Sequence, residues 1–176
     1  NILAKFYAIP NGKIFFNNID TNDIERKSFY EKFAYVMQDD YIYDNTIKHN
    51  IELYKSYEKN EVKEATEKAE LFDTIEKLDK KYNTLIGDNG IKLSGGQKQR
   101  LILSRNLITN QNILIIDNGF TGLDIDTRKK VIDNLNNRNN KTTLVIISSM
   151  IEDIKNADKI YKLENKALVE MNVEEE

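Results

Sequence analysis

"KLSGGQKQR", residues 92–100, is the stretch on which the fold and function of this chain turn. Ser94, followed three residues later by Gln97, fits the S-x-x-Q capping box that opens a helix. A plain cap has no use for Gly95 and Gly96, because each glycine costs a helix about 1 kcal/mol relative to alanine. Two glycines at a helix start make sense where a ligand must approach backbone N–H groups. A helix N-terminus already favours an anion there, through its free N–H groups and its dipole. Yet the sequence contains no G-x-x-x-x-G-K-[ST] loop to cradle a phosphate. The phosphate meant for this glycine pair has to be identified from the rest of the chain.

Composition narrows the choice. The 176 residues suffice for one domain with a buried core. Hydrophobic residues make up 40% and charged residues 31%, a globular balance, and the net charge of −3 lacks the basic excess of a dedicated nucleic-acid binder. No run approaches the ~18 consecutive apolar residues of a membrane span. The longest, "ILII" (113–116) and "LVII" (144–147), have the length of buried strands. Cysteine is absent, so disulfides and thiolate metal sites are excluded. The chain opens on Asn1 rather than Met, and the expectation is that it continues upstream or has been processed.

Periodicity predicts the tail of a helix over 1–9, a turn at 10–12, a strand over 13–19, a short amphipathic helix over 22–33 and a strand over 34–37. Helical patterning dominates from 44 to 110, most clearly over 60–78. Strand signals return at 112–117, 142–148, 159–163 and 167–170, with a helix over 126–137 between the first two. Strands alternating with helices predict an α/β fold with a mainly parallel sheet, and the long helical block inside it an inserted subdomain.

Taken in order, the motifs resemble those of ATP-binding cassette (ABC) proteins of the exporter type. "LSGGQ" resembles the family signature and "YVMQDD" (35–40) the Q-loop. "YIYDNTIKHNI" (41–51) and "NTLIGDNGIKLSGGQ" (83–97) resemble exporter segments. "ILIID" (113–117) resembles Walker B, "GLD" (122–124) the D-loop and "LVIISS" (144–149) the strand into the H-loop. The resemblance covers nearly the whole chain. It implies a P-loop NTPase-like core: 1–43 as the rear of the first ATP-binding lobe, 44–110 as the helical subdomain, and 111–176 as the second part of the core.

What the resemblance implies for single residues can be set beside their plain chemistry. Asp117 ends an apolar strand, where ligands of open α/β sheets gather, and its carboxylate suits Mg²⁺; the plain alternative is a strand running into an Asp-Asn-Gly turn. Gln38 would contact the metal and water. Asn118 stands where the family has a water-polarising Glu, and an amide accepts no proton near neutral pH. Ser149 stands where the family has its switch histidine. His49, the only histidine, is expected to be an ordinary surface residue. Leu123 and Asp124 would form the D-loop that crosses to a partner, with Asp124 or Asp126 also able to cap a helix.

In this family two cassettes meet head to tail, and each signature closes on the nucleotide of the other. The resemblance therefore implies that Ser94, Gly95, Gly96 and Gln97 act on a partner's ATP, while Asn118 and Ser149 leave this chain's own site degenerate. It implies ATP and Mg²⁺ as cofactors and no nucleic acid. It also implies a second cassette as partner, with the asymmetry pointing to a heterodimer and a homodimer as the alternative. A transmembrane domain fused upstream, and a place at the cytoplasmic face of the cell membrane, complete the expectation. Residues 1–16 resemble the stretch just after a Walker A loop. The expectation is thus an N-terminally truncated cassette that binds ATP weakly alone, with one core edge uncovered. Two rivals remain: a regulatory or decayed cassette that hydrolyses nothing, and a non-transport ABC ATPase acting on DNA, which usually carries long coiled-coil insertions and a basic surface.

Overall fold

Three apolar stretches pair in parallel and set the frame. The computed structural model describes residues 7–37, 40–137 and 142–171. Within them, β3 (Phe33–Val36), β4 (Ile113–Asp117) and β5 (Thr143–Ile147) form one sheet in the order β3-β4-β5. The register puts Val36 beside Ile116, and Asp117 beside Ile147. All three strands therefore release their chains at the same end, where open parallel sheets collect ligands. Val36, Leu114 and Ile116 are buried in the central core, and β4 is buried more deeply than β5, whose Ile147 is 45% exposed.

Helices cover this sheet from one long stretch of chain. α2 (Ile47–Glu52), α3 (Lys59–Lys68), α4 (Phe72–Glu76) and α5 (Gly95–Leu107) lie between β3 and β4, and α6 (Ile125–Asn136) lies between β4 and β5. The apolar face of α5 carries Leu101, Ile102, Leu103 and Leu107, all buried in the central cluster. Each such side chain contributes about 1.5–3 kcal/mol by leaving water.

The single helix expected over 60–78 is two helices. Glu70 takes a left-handed φ of 56° and breaks them apart. Two long side chains hold that break: Arg100 Nη1 donates to the Glu70 carbonyl at 2.6 Å, and Asn134 Nδ2 donates to its carboxylate at 2.9 Å. Tertiary partners thus override a helical pattern. The helix expected over 22–33 is confined to α1 (Arg26–Tyr30), because Phe33 is drawn into the sheet.

The strand expected over 13–19 is instead a hairpin, β1 (Phe15–Phe16) and β2 (Ile19–Asp20). Asn17 and Asn18 both have positive φ, 49° and 64°, as a two-residue type I′ turn requires. The same device closes β6 (Ile160–Glu164) on β7 (Ala167–Met171), with Asn165 at 49° and Lys166 at 66°. Of the helix tail expected over 1–9, residues 1–6 lie outside the described residues, and 7–10 hold no regular element.

One polar group ties the helices to the sheet. Arg105 of α5 is nearly buried, and its guanidinium donates to the Asn50 carbonyl at 2.8 Å, the Tyr41 carbonyl at 2.8 Å and Asn50 Oδ1 at 3.1 Å. Asn50 is fully buried, and its Nδ2 donates to the carbonyls of Tyr43 and Thr46, each at 3.0 Å. Burial lowers the Arg105 pKa from its ordinary value, and the nearby Asp40 carboxylate counters this. Replacing Arg105 by Met leaves the buried Asn50 carbonyl and the partly buried Tyr41 carbonyl without their donors, at about 1–3 kcal/mol for a fully buried group. Arg105→Met is therefore expected to lower the urea midpoint of unfolding markedly, with Arg105→Lys intermediate. A midpoint unchanged by Arg105→Met would mean the network carries no stability.

Candidate functional site

The helix start that the sequence singled out is built as a reciprocal cap. Ser94 adopts extended backbone, and its hydroxyl accepts from Gln97 N at 3.3 Å, while Gln97 Oε1 accepts from Ser94 N at 2.9 Å. The capping box and the signature are the same residues, so the bland explanation holds for Ser94 and Gln97. It leaves the glycines unexplained. Gly95 is exposed and Gly96 half-buried, both on the open first turn of α5, where N–H groups lack intrahelical acceptors.

Beside that turn runs the loop that follows β4. Asn118 has φ 50° and donates its N–H to the Ile147 carbonyl at 2.9 Å. Asparagine tolerates this left-handed backbone better than most residues, which gives Asn118 a local reason to be there. Gly119 and Phe120 are buried, Thr121 Oγ1 donates to the Asn118 carbonyl at 3.2 Å, and Leu123 N donates to the Phe120 carbonyl at 3.1 Å. Asp124 ends the loop as the N-cap of α6, its Oδ1 accepting from Thr127 N at 3.0 Å. Leu123 is buried and Asp124 exposed, so of the two expected loop residues only Asp124 presents its side chain outward.

At the end of β4, Asp117 is half-buried, and Tyr35 Oη lies 3.4 Å from its Oδ2. Burial raises the Tyr35 pKa, and the Asp117 carboxylate raises it further. The hydroxyl therefore stays a neutral donor beside the carboxylate. Gln38, which the sequence pairs with Asp117, lies outside the described residues. Among the described residues no cluster of three or more His, Asp or Glu side chains could enclose a metal. Asp117 fits Mg²⁺ as one hard oxygen ligand of the kind that a nucleotide's phosphates and water complete.

The structure treats the two serines after β5 differently. Ser149 is exposed on a bend, whereas Ser148 Oγ donates to Asp153 Oδ2 at 2.5 Å and accepts from Met150 N at 3.0 Å. Asp153 is buried, 3.7 Å from Arg128 Nη1, which also contacts the Met150 sulfur. Arg128 Nη2 donates to the Phe120 carbonyl at 2.9 Å. One arginine thus joins the loops after β4 and β5. Nothing in the sequence pattern pointed to Arg128 or Asp153, whose pairing depends on tertiary packing. Arg105 and Asn50 were missed as well, although Asn50 sits in the quoted "NTIKHNI". His49 proves half-buried, edge-on to Tyr43 at 6.4 Å, rather than a plain surface group.

Between these parts lies a cavity of about 400 Å³, bordered by Asp40 and Tyr41 on one side, Gly95, Lys98 and Gln99 of α5, and Thr121 and Gly122 of the loop. Burial raises the Asp40 pKa, against the opposing influence of Arg105 and of the Tyr41 N–H.

Comparison with known proteins bears on this arrangement. The family model described as ABC transporter matches residues 1–121. The chain belongs to the ABC transporter family. It is 36% identical over 171 residues to the beta-(1→2)glucan export ATP-binding/permease protein NdvA of Bartonella bacilliformis, covering 97% of this chain and 29% of that protein. It is 33% identical over 173 residues to the ATP-dependent lipid A-core flippase of Photorhabdus laumondii, covering 97% of this chain and 30% of the relative. A solved bacterial Atm1-family ABC exporter with ATP bound superposes with a TM-score of 0.89 at 29% identity, over 96% of this chain and 30% of that one. The chain thus spans about 30% of the length of the relatives it matches. The expected α/β fold with a parallel sheet is that of an ABC exporter's nucleotide-binding domain.

Two outcomes check the local chemistry. Ser94→Ala removes the cap of α5 and is expected to cost about 1 kcal/mol in an unfolding experiment. Hydrogen bonds from Thr127 hold the Asp124 carboxyl below its ordinary value of 3.8. Its folded pKa is depressed, so the stability it contributes is complete above the unfolded value and is lost as pH falls through the folded one. Asp124→Asn keeps a capping oxygen and is expected to flatten the acid side of a thermal-stability profile; an unaltered profile would contradict this.

Proposed function

We propose that this chain is an ATP-binding cassette of an ABC exporter, and that α5 closes on a nucleotide held by a second cassette. The observation that carries the reading is the open first turn of α5, with exposed Gly95 next to the capping Ser94, in a chain whose relatives are named exporters. A phosphate there would meet free N–H groups and the positive end of the helix dipole. On its own side, Asp117 would hold Mg²⁺ together with Gln38, and the metal would supply charge neutralisation to the phosphates of ATP.

That own side is degenerate in this reading. Asn118 orients water without taking its proton, and Ser149 offers a hydroxyl in place of an imidazole. The intact signature therefore serves the partner's ATP, and the pair is a heterodimer with one strong and one weak site. Residues 44–110 would move as a helical subdomain against the core lobes 1–43 and 111–176. Leu123 and Asp124 would reach the partner. The transmembrane domain would dock near 38–43, placing the cassette at the cytoplasmic face of the membrane. Among the described residues no helix is long and apolar enough to cross a membrane.

A second reading, a cassette that regulates without turning over ATP, is favoured by one observation: the left-handed backbone of Asn118 suits asparagine better than glutamate. ATPase measurements on the full transporter with its partner separate the two. Gly95→Ala is expected to lower turnover by about 10²-fold or more, as loss of a preorganised phosphate contact does. No change on Gly95→Ala would favour the regulatory reading. Asn118→Glu is expected to raise turnover at the weak site, toward the ~10²–10⁴ typical of a positioned base, while lowering stability by about 1 kcal/mol.

A further inference from the structure

Gly95 and Gly96 are adjacent in sequence and differ in surroundings. A Cβ on Gly95 would meet nothing within 4 Å, whereas a Cβ on Gly96 would lie 2.7 Å from the Gly122 carbonyl oxygen. From the other side, a Cβ on Gly122 would sit 3.4 Å from the carbonyl carbon and oxygen of Gly95 and 3.5 Å from Gly96 N. The second distance is ordinary contact; the first is a clash with main chain, which no rotamer change relieves. None of the three has positive φ, so turn geometry does not demand glycine at these positions. Space demands it at 96 alone.

The loop that Gly96 touches is held firmly at both ends. Arg128 Nη2 binds the Phe120 carbonyl at 2.9 Å, and Asp124 is fixed as the cap of α6. At its middle, Gly122 rests on the first turn of α5. We infer that Gly96 is a positioning residue for residues 119–124: its missing side chain lets helix and loop pack backbone to backbone as one unit, and Gly95 alone is left bare for a ligand. The packing stands on geometry. Only its consequence, that a phosphate closing on α5 is felt directly by the loop facing the partner, rests on the function proposed above.

Hydrogen–deuterium exchange on the full-length protein tests this, on peptides spanning 118–126. Gly96→Ala is expected to speed exchange there by about tenfold, with 97–107 and 113–117 unchanged, because only local opening is made easier. Gly95→Ala and Gly122→Ala are expected to stay within about twofold of wild type. Should Gly96→Ala fail to fold, Gly122→Val presses on the same contact from the loop side and is expected to give the same localised increase. Exchange at 118–126 within about twofold of wild type, in whichever of these two variants folds, overturns the inference, and so does an increase spread evenly through α5 and β4. If instead the exchange pattern appears and ATP turnover is indifferent to Gly95→Ala, the positioning role stands and the proposed function falls.

Discussion

The buried contact between Arg105 and Asn50 is the constraint on which the arrangement depends. It joins α5 to α2 and to the irregular chain that leaves β3, using three donors of one guanidinium on two carbonyls and an amide. Tyr43 N completes it by donating to Asn50 Oδ1 at 2.8 Å, and the Arg105 guanidinium also stacks 5.7 Å from the Tyr43 ring. Buried backbone without regular structure needs such partners, since each unmet polar group is costly. With the segment 41–50 fixed, Ile42, Ile47 and Ile51 seat in the core against α5. The N-terminus of α5 is then aimed by packing rather than by its own cap.

That aim brings three segments together at one end of the sheet. The loops after β4 and β5 leave the same edge because the strands are parallel, and α5 begins beside the first of them. Arg128 and the Asp153 carboxylate then bind the two loops to each other across α6. A close pair of this kind is less a source of stability than a device for fixing geometry, because its desolvation offsets much of its attraction. On the proposed function, a ligand on α5 and a ligand beside Asp117 would thus bear on the same short stretch of chain.

Much of this was legible in the sequence. The strands at 113–117 and 143–147 and the helix start at Ser94 follow from apolar runs and cap chemistry, which act over a few residues. Motif order carried the family. What escaped were features set at a distance. The break at Glu70 is imposed by Arg100 and Asn134, and the Asn17–Asn18 turn hides inside an apolar-looking stretch. Asn118 was read through chemistry alone, as a lost base, although its backbone supplies an independent reason for asparagine. The different surroundings of two successive glycines could not be seen in "GG" at all, because the atom that separates them belongs to Gly122.

The central claim is that the first turn of α5 meets a nucleotide that this chain does not itself hold. A cryo-EM structure of the full protein with its partner, ATP and Mg²⁺ tests it most directly. The account predicts the γ-phosphate within hydrogen-bonding distance of Ser94 and the N–H group of Gly95, with the rest of that nucleotide gripped by the second cassette. A nucleotide bound against Asp117 of the same chain, with the start of α5 open to solvent in the closed dimer, would contradict it.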